Sequence, residues 1–244
     1  MKHLYLGLKL SFSYFSLIPV WLLPKDDLSH PKVLQAMLFF LPLVGAFVST
    51  IVVLSFKLGS GWLFALFMGV FYMVLYGFLH TEALIDVVDA LFARHSHKDP
   101  YKVIKEPTVG AMGVLFGVAF VILKVATLTF CFLEGYGEYL VVVAVASRVG
   151  ALGLFEVLEF RSSFLEELKR HFSKRLLVSA LLFYSLFLVI FFGGSSILFV
   201  VLGVVLALLF GVLLKRALGF ANGDLVGCVI ELVELSLLVV VAAI

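Results

Sequence analysis

The sequence predicts an all-α, polytopic integral membrane protein with about seven or eight transmembrane or membrane-embedded helices. Three observations predict it. Of 244 residues, 63% are hydrophobic and only 14% are charged, whereas a soluble domain is about half apolar and about a quarter charged. The apolar residues gather in runs near the roughly 20 needed to cross hydrocarbon. The loops between those runs alternate between basic and base-poor, as a chain weaving through a bilayer requires. The net charge of +2 is too small to point to nucleic acid as a partner. Cys131 and Cys228 both lie in apolar runs, make no disulfide framework or zinc spacing, and read as small buried residues.

Taken in order, the runs place spans at roughly 4–22, 33–56, 61–90, 109–132, 139–159, 176–192, 196–214 and 225–244. Lys9, Ser11, Ser13 and Ser16 interrupt the first, which either crosses the membrane or lies in its interface. That stretch has no small-x-small cleavage site and is expected to stay. Loop 94–108 carries Arg94, Lys98, Lys102 and Lys105. Loop 160–175 carries Arg161, Lys169, Arg170, Lys174 and Arg175, and loop 215–224 carries Lys215 and Arg216. The alternate loops hold only Lys57, the pair Glu134 and Glu138, and Gly193-Gly194-Ser195. Basic loops stay cytoplasmic, so the three basic loops are expected on the cytoplasmic face of a bacterial inner membrane.

Against that background the stretch HTEALIDVVDALFARHSHKD, residues 80–99, stands out. An ionised carboxylate in hydrocarbon costs roughly 3 kcal/mol even on lenient scales. Glu82, Asp86 and Asp89 are spaced i, i+4, i+7, within about a 60° arc of one helix face. Such a stripe facing lipid is untenable, and facing water it repels itself unless a cation joins it. Carboxylates with oxygen-only company are the ligand set of Mg²⁺, which also keeps waters and substrate phosphates. The bland alternative is a helix end whose acids reach the aqueous interface. His80, off the centre of the arc, reads as a packed or interfacial histidine.

Two further stretches carry chemistry. LGFANGDLVGCVIELVEL, residues 218–235, opens the last span with a turn and a helix cap at Asn222-Gly223-Asp224. A cap explains Asp224, but not Glu231 and Glu234 deep in the apolar run. Gly223 beside an acid at a helix start also lets backbone approach a phosphate or ion. KEPTVGAMG, residues 105–113, offers Lys105 as a phosphate contact, with Pro107 and Gly110 shaping a turn into a helix. Arg148, alone in ASRVGALG, is expected to pair with an intramembrane acid or a substrate anion.

At these residues the chain resembles the cobalamin synthase family, the adenosylcobinamide-GDP ribazoletransferases. Members carry a stretch like HLDGLADTADG, then MKDSRIGAFG, then a late GGxTGDxLGA followed by glutamates. Here His80, Leu84, Asp86 and Asp89 stay in register with the first. Lys105, Gly110, Ala111 and Gly113 match the second. Gly219, Gly223, Asp224 and Gly227 match the third, with Glu231 and Glu234 in the expected places. FSYFSLIPV at 12–20 and LPLVGA at 41–46 look like the family's FFTRLPV and FPLVGL, so the resemblance spans nearly the whole chain. There are departures. Glu82 and Glu106 replace aspartates, Ala83 and Ala90 replace glycines, and Leu17 and Thr108 stand where the family has arginines. Lost guanidinium contacts weaken phosphate binding unless Lys105, Arg148 or Arg161 compensates.

The resemblance implies one membrane-embedded cobalamin synthase-like domain over residues 1–244. It implies an enzyme of cobalamin biosynthesis that transfers the adenosylcobinamide phosphate moiety from adenosylcobinamide-GDP to α-ribazole or α-ribazole 5′-phosphate. GMP leaves, and Mg²⁺ is the expected cofactor. On this reading Asp86, Asp89 and Asp224 bind metal with Glu82 assisting, Glu231 or an acid near the metal is the base, and Lys105, Arg148 and Gly223 meet phosphate. The bilayer and the two substrates are the expected partners, no nucleic acid is, and a homo-oligomer is left open. Two other readings are weighed. A CDP-alcohol phosphotransferase would show DGxxAR…GxxxDxxxD, which is absent. An ion-coupled transporter would hold its acids near the midplane of repeated halves, whereas these acids sit at one face.

Overall fold

The protein's structure, a computed structural model, describes residues 2–95 and 97–244. Among those residues the chain forms helices and no strands. In order they are α1 (Lys2–Phe15), α2 (Pro31–Phe56), α3 (Trp62–Leu75), α4 (Leu79–His95), the short α5 (Pro100–Val103) and α6 (Ala111–Leu133). Then come α7 (Tyr139–Val157), α8 (Ser163–His171), α9 (Lys174–Phe192), α10 (Ser196–Leu218) and α11 (Gly223–Ala243). Six of them, α2, α6, α7, α9, α10 and α11, are long and apolar enough to cross a membrane. The pair α3 and α4 makes a seventh if taken as one broken span, bent by 80°.

Two of the expected runs take a particular form. The stretch 4–22 yields only the 14-residue α1, about 21 Å at 1.5 Å per residue, short of the hydrocarbon thickness. It lies along α2 instead. The stretch 61–90 is not continuous. Gly77 and Phe78 both adopt positive φ, +65° and +54°, a conformation that ends a right-handed helix. Six long apolar helices, or seven with the bent pair, bear out the polytopic all-α reading.

The core is α7. Residues 140–155 are all buried, so this helix is surrounded by protein, whereas α9 and α10 turn Leu182, Ile190, Leu198 and Val205 outward. Close helix crossings use small residues, as membrane packing favours. A Cβ on Gly150 would lie 2.5 Å from the Gly203 carbonyl, which is why α7 and α10 can touch backbone to backbone. The loops sort into two sets. Lys57 pairs with Glu138 at 3.2 Å, joining two base-poor loops. Tyr101 Oη donates to the Arg161 carbonyl at 3.3 Å, Arg161 N–H donates to the Ala221 carbonyl at 2.7 Å, and Arg94 donates to the Ala217 carbonyl. The three basic loops thus adjoin one another, as alternation predicts.

The fold also holds a buried ion network that ties five helices together. Lys124 on α6 meets Glu231 and, at 2.6 Å, Glu234, both on α11; Arg148 on α7 meets Glu234. Tyr72 on α3 donates to Glu234 at 2.8 Å. Tyr76 at the elbow donates to Glu231 at 2.7 Å, and Thr81 on α4 donates to it at 2.8 Å. Two cations and two carboxylates balance to zero, which is the condition under which buried charge is tolerated.

Candidate active site

The carboxylates of α4 and α11 meet because the two helices cross closely. Ala83 packs on Gly227, where a Cβ would lie 2.7 Å from that of Ala83. The small residue expected at 83 has therefore been exchanged, while the one at 227 keeps the approach. The crossing brings Asp224 within electrostatic reach of Asp86, which also feels Glu82 and Asp89 on its own helix, while Asp224 lines one cavity and Asp86 and Glu82 line another. Asp86 and Asp224 are both half-buried, and Glu82 is exposed. Asn222 caps α11 through its Oδ1 to Leu225 N–H at 3.1 Å, and its Nδ2 donates to Asp224 Oδ2 at 2.6 Å. Asp224 is thus aimed by its neighbour rather than spent as the cap.

We expect Gly227→Ala to fold but to lose about 10–100-fold in turnover with little change in KM, because a small shift of Asp224 against Asp86 degrades the reacting geometry. Steady-state kinetics check this, and a wild-type turnover number would contradict it.

Asp89 has a different job from the other acids. Its two oxygens each accept a backbone N–H at 2.6 Å, from Gly110 and from Gly113. It therefore caps the N-terminus of α6 from another helix, where Gly110 has no side chain to offer. The glycines of KEPTVGAMG follow from this. A Cβ on Gly110 would sit 2.6 Å from Asp89 Oδ1, and one on Gly113 would strike the same carboxylate and, at 2.8 Å, the Ile85 carbonyl.

Two cations share one ring in the neighbouring loops. Lys105 Nζ lies 4.2 Å from the centroid of the Tyr101 ring, and the Arg161 guanidinium lies 3.7 Å from it. Both side chains are exposed, and neither has a carboxylate partner among the described residues. Arg161 is also the residue whose backbone binds Ala221, just before Asn222-Gly223-Asp224. Two cations on one ring with no counter-ion are what an anionic substrate requires.

The other expected site residues are elsewhere. Glu231 is fully buried; its Oε1 accepts from Tyr76 and Thr81 and its Oε2 from Lys124. It serves as counter-ion to Lys124 and is not brought to the acid face. Arg148 is likewise buried and turned onto Glu234. Of the two partners weighed for it, the intramembrane acid is the one it has. Lys124 carries this network yet was absent from the sequence reading; a lysine in the middle of an apolar run was the signal for it. Leu17 N–H bonds the Leu75 carbonyl at 2.8 Å, so the residue in the first arginine position lies at the α3–α4 elbow.

Among the described residues, no three His, Cys, Asp or Glu side chains converge into a ready-made metal site. The donor set nevertheless suits a divalent cation that arrives with phosphate. Asp86 and Asp224 offer oxygen atoms and repel each other until a cation joins them, and Mg²⁺ often takes only one or two carboxylates plus substrate phosphates. Asp89 keeps both oxygens on amides, and Glu82 stands at the exposed edge.

The long apolar helices define a polytopic helical membrane protein, and its relatives give its class. A profile of the cobalamin-5-phosphate synthase family matches residues 7–242, and the chain belongs to that family. It is 27% identical to an adenosylcobinamide-GDP ribazoletransferase of Brevibacillus brevis, covering 94% of this chain and 95% of the relative. It is also 27% identical to proteins of the same name from Clostridium perfringens, over 97% of each chain, and from Pseudomonas entomophila, over 94% of this chain and 96% of the relative. No solved structure matches it.

Proposed function

We propose that the protein is an adenosylcobinamide-GDP ribazoletransferase working at the cytoplasmic face of a bacterial inner membrane. A ribose hydroxyl of α-ribazole, or of its 5′-phosphate, attacks the phosphorus on the cobinamide side of the diphosphate. One P–O bond forms, the P–O bond to GMP breaks, and the hydroxyl proton leaves to a carboxylate. The observation that supports this reading is the α4–α11 crossing, which sets Asp86 and Asp224 within electrostatic reach of each other, with the carboxylate-free pair Lys105 and Arg161 on Tyr101 and Arg161 tied to Ala221 just before Asp224. One set suits a divalent cation and a proton; the other suits the diphosphate.

Lys105 and Arg161 bind the diphosphate and orient it, and the exposed N-terminus of α11 at Gly223 adds N–H groups and a favourable dipole. Asp86 and Asp224 would hold Mg²⁺, with Glu82 at the edge. Bound there, Mg²⁺ would neutralise charge on the diphosphate and stabilise the leaving phosphate. Whichever of Asp86 and Asp224 faces the ribose takes its proton. Glu231 and Arg148, sealed in the buried network, keep α11 in place so that Asp224 faces Asp86.

Purified protein given adenosylcobinamide-GDP and α-ribazole 5′-phosphate is expected to yield adenosylcobalamin 5′-phosphate and GMP in equal amounts, and neither when one substrate is omitted. GMP without cobalamin would show a hydrolase, and no product from folded protein would overturn the assignment. Arg161→Ala is expected to raise KM for adenosylcobinamide-GDP by about tenfold, the cost of one charge-assisted contact, while leaving KM for the acceptor unchanged. An unchanged KM for both would remove Arg161 from the site.

A further inference from the structure

Behind the acids lies a cavity of about 130 Å³ that the reaction as described does not use. Asp224 and Gly223 form part of its lining, so it reaches the Asp224 carboxylate. The rest is almost wholly apolar and rich in rings: Tyr14 and Phe15 from α1, Phe155 from α7 and Phe164 from α8. Tyr14 stacks on Phe164 with centroids 5.4 Å apart. The amphipathic α8 roofs it and is pinned down at its C-terminal end. Lys169 donates to the Leu158 carbonyl at 2.7 Å, and Gln35 donates to the His171 carbonyl at 2.8 Å.

The polar exception deep in the wall is His80. It is 4% exposed, and its Nε2 is buried with no hydrogen-bond partner among the described residues. Buried polar atoms are nearly always satisfied, so an orphan of this kind asks for an explanation.

We infer that this cavity seats the aromatic base of the acceptor nucleoside, with His80 facing the base and the ribose left at the mouth beside Asp224. The inference rests on the transferase reading and adds to it the means by which the acceptor is chosen. Both substrates carry a heteroaromatic base, and the lining decides between them. Guanine presents amide, amino and ring-nitrogen groups around its whole edge. Each of them left unpaired in this wall would lose its hydrogen bonds to water without replacement. A dimethylbenzimidazole presents two methyl groups and a single free ring nitrogen, which suits aromatic walls with one imidazole. The guanine half of the donor is therefore left outside, toward Lys105 and Arg161. Purine-based acceptors are disfavoured for the same reason that guanine is.

The test uses the full-length protein and follows both Michaelis constants. Leu168→Trp fills the cavity from α8 without touching the acids. It is expected to raise KM for α-ribazole 5′-phosphate at least tenfold while KM for adenosylcobinamide-GDP stays within twofold. His80→Leu is expected to raise the acceptor KM, and His80→Gln, which keeps a hydrogen-bonding group, to recover part of it. If Leu168→Trp fails to fold, the His80 pair decides alone. An unchanged acceptor KM in these variants, or a rise in the donor KM instead, overturns the inference while wild-type turnover still upholds the transferase. A wild-type protein that makes no cobalamin overturns the transferase reading itself.

Discussion

Lys124→Met is expected to lower stability by about 3–5 kcal/mol, the cost of breaking a buried charge pair by removing one partner. The reason is electrostatic and local. Lys124, Arg148, Glu231 and Glu234 form a neutral set in which every charge is buried. Removing the lysine leaves two carboxylates with one guanidinium, and Glu231 retains only hydroxyl donors. Five helices meet at this network, so the loss reaches α3, α4, α6, α7 and α11 together. Thermal unfolding in detergent checks it, with a drop of roughly 10 °C expected from the size scaling of midpoints. The double change Lys124→Met with Glu231→Gln restores neutrality and is expected to recover much of the loss. A single variant that melts within about 2 °C of wild type would show that the network is not held by charge balance.

Asp86→Asn and Asp224→Asn are each expected to cut cobalamin formation by about 10²–10⁴-fold, the range for removing a catalytic acid or base. Their melting temperatures should stay at or above wild type, because both side chains are half-buried and Asp86 is surrounded by other acids. Losing one negative charge there relieves repulsion. Asp89→Asn is the contrasting case. It weakens a two-bond cap on α6 and should cost stability of about 0.5–2 kcal/mol, with activity falling only as far as Gly110 and Gly113 move. Rates measured beside melting curves separate these outcomes. Full activity in Asp86→Asn and Asp224→Asn would mean that the α4–α11 crossing is scaffold rather than site.

Much of this was legible in the sequence, and what was not has a physical reason. The apolar runs and the alternation of basic loops located the long helices, because hydrophobicity and charge act over whole segments. The break at Gly77 and Phe78 was hidden because it rests on two backbone angles inside an apolar run. The stripe Glu82, Asp86, Asp89 was correctly placed on one face, yet spacing alone could not show that Asp89 would be drawn onto the amides of Gly110 and Gly113. That contact joins residues 21 and 24 positions apart. Glu231 and Glu234 were visible as buried acids, but their partner Lys124 lies 107 and 110 positions away. Which acids are site and which are structure is therefore a tertiary property. Arg161 shows the same limit. It was one of three bases offered in place of the missing arginines, and only its place on the Tyr101 ring with Lys105 sets it apart from the buried Arg148.

The account stands most directly on one assay, GMP release by purified, detergent-solubilised protein given both substrates, with Mg²⁺ and again with chelator. The account predicts release with Mg²⁺, accompanied by a cobalamin product, and loss of both under chelation and in Asp86→Asn. Equal release with and without chelator, or release that Asp86→Asn and Asp224→Asn leave untouched, would contradict the claim that these two carboxylates hold the cation at which the diphosphate is cleaved.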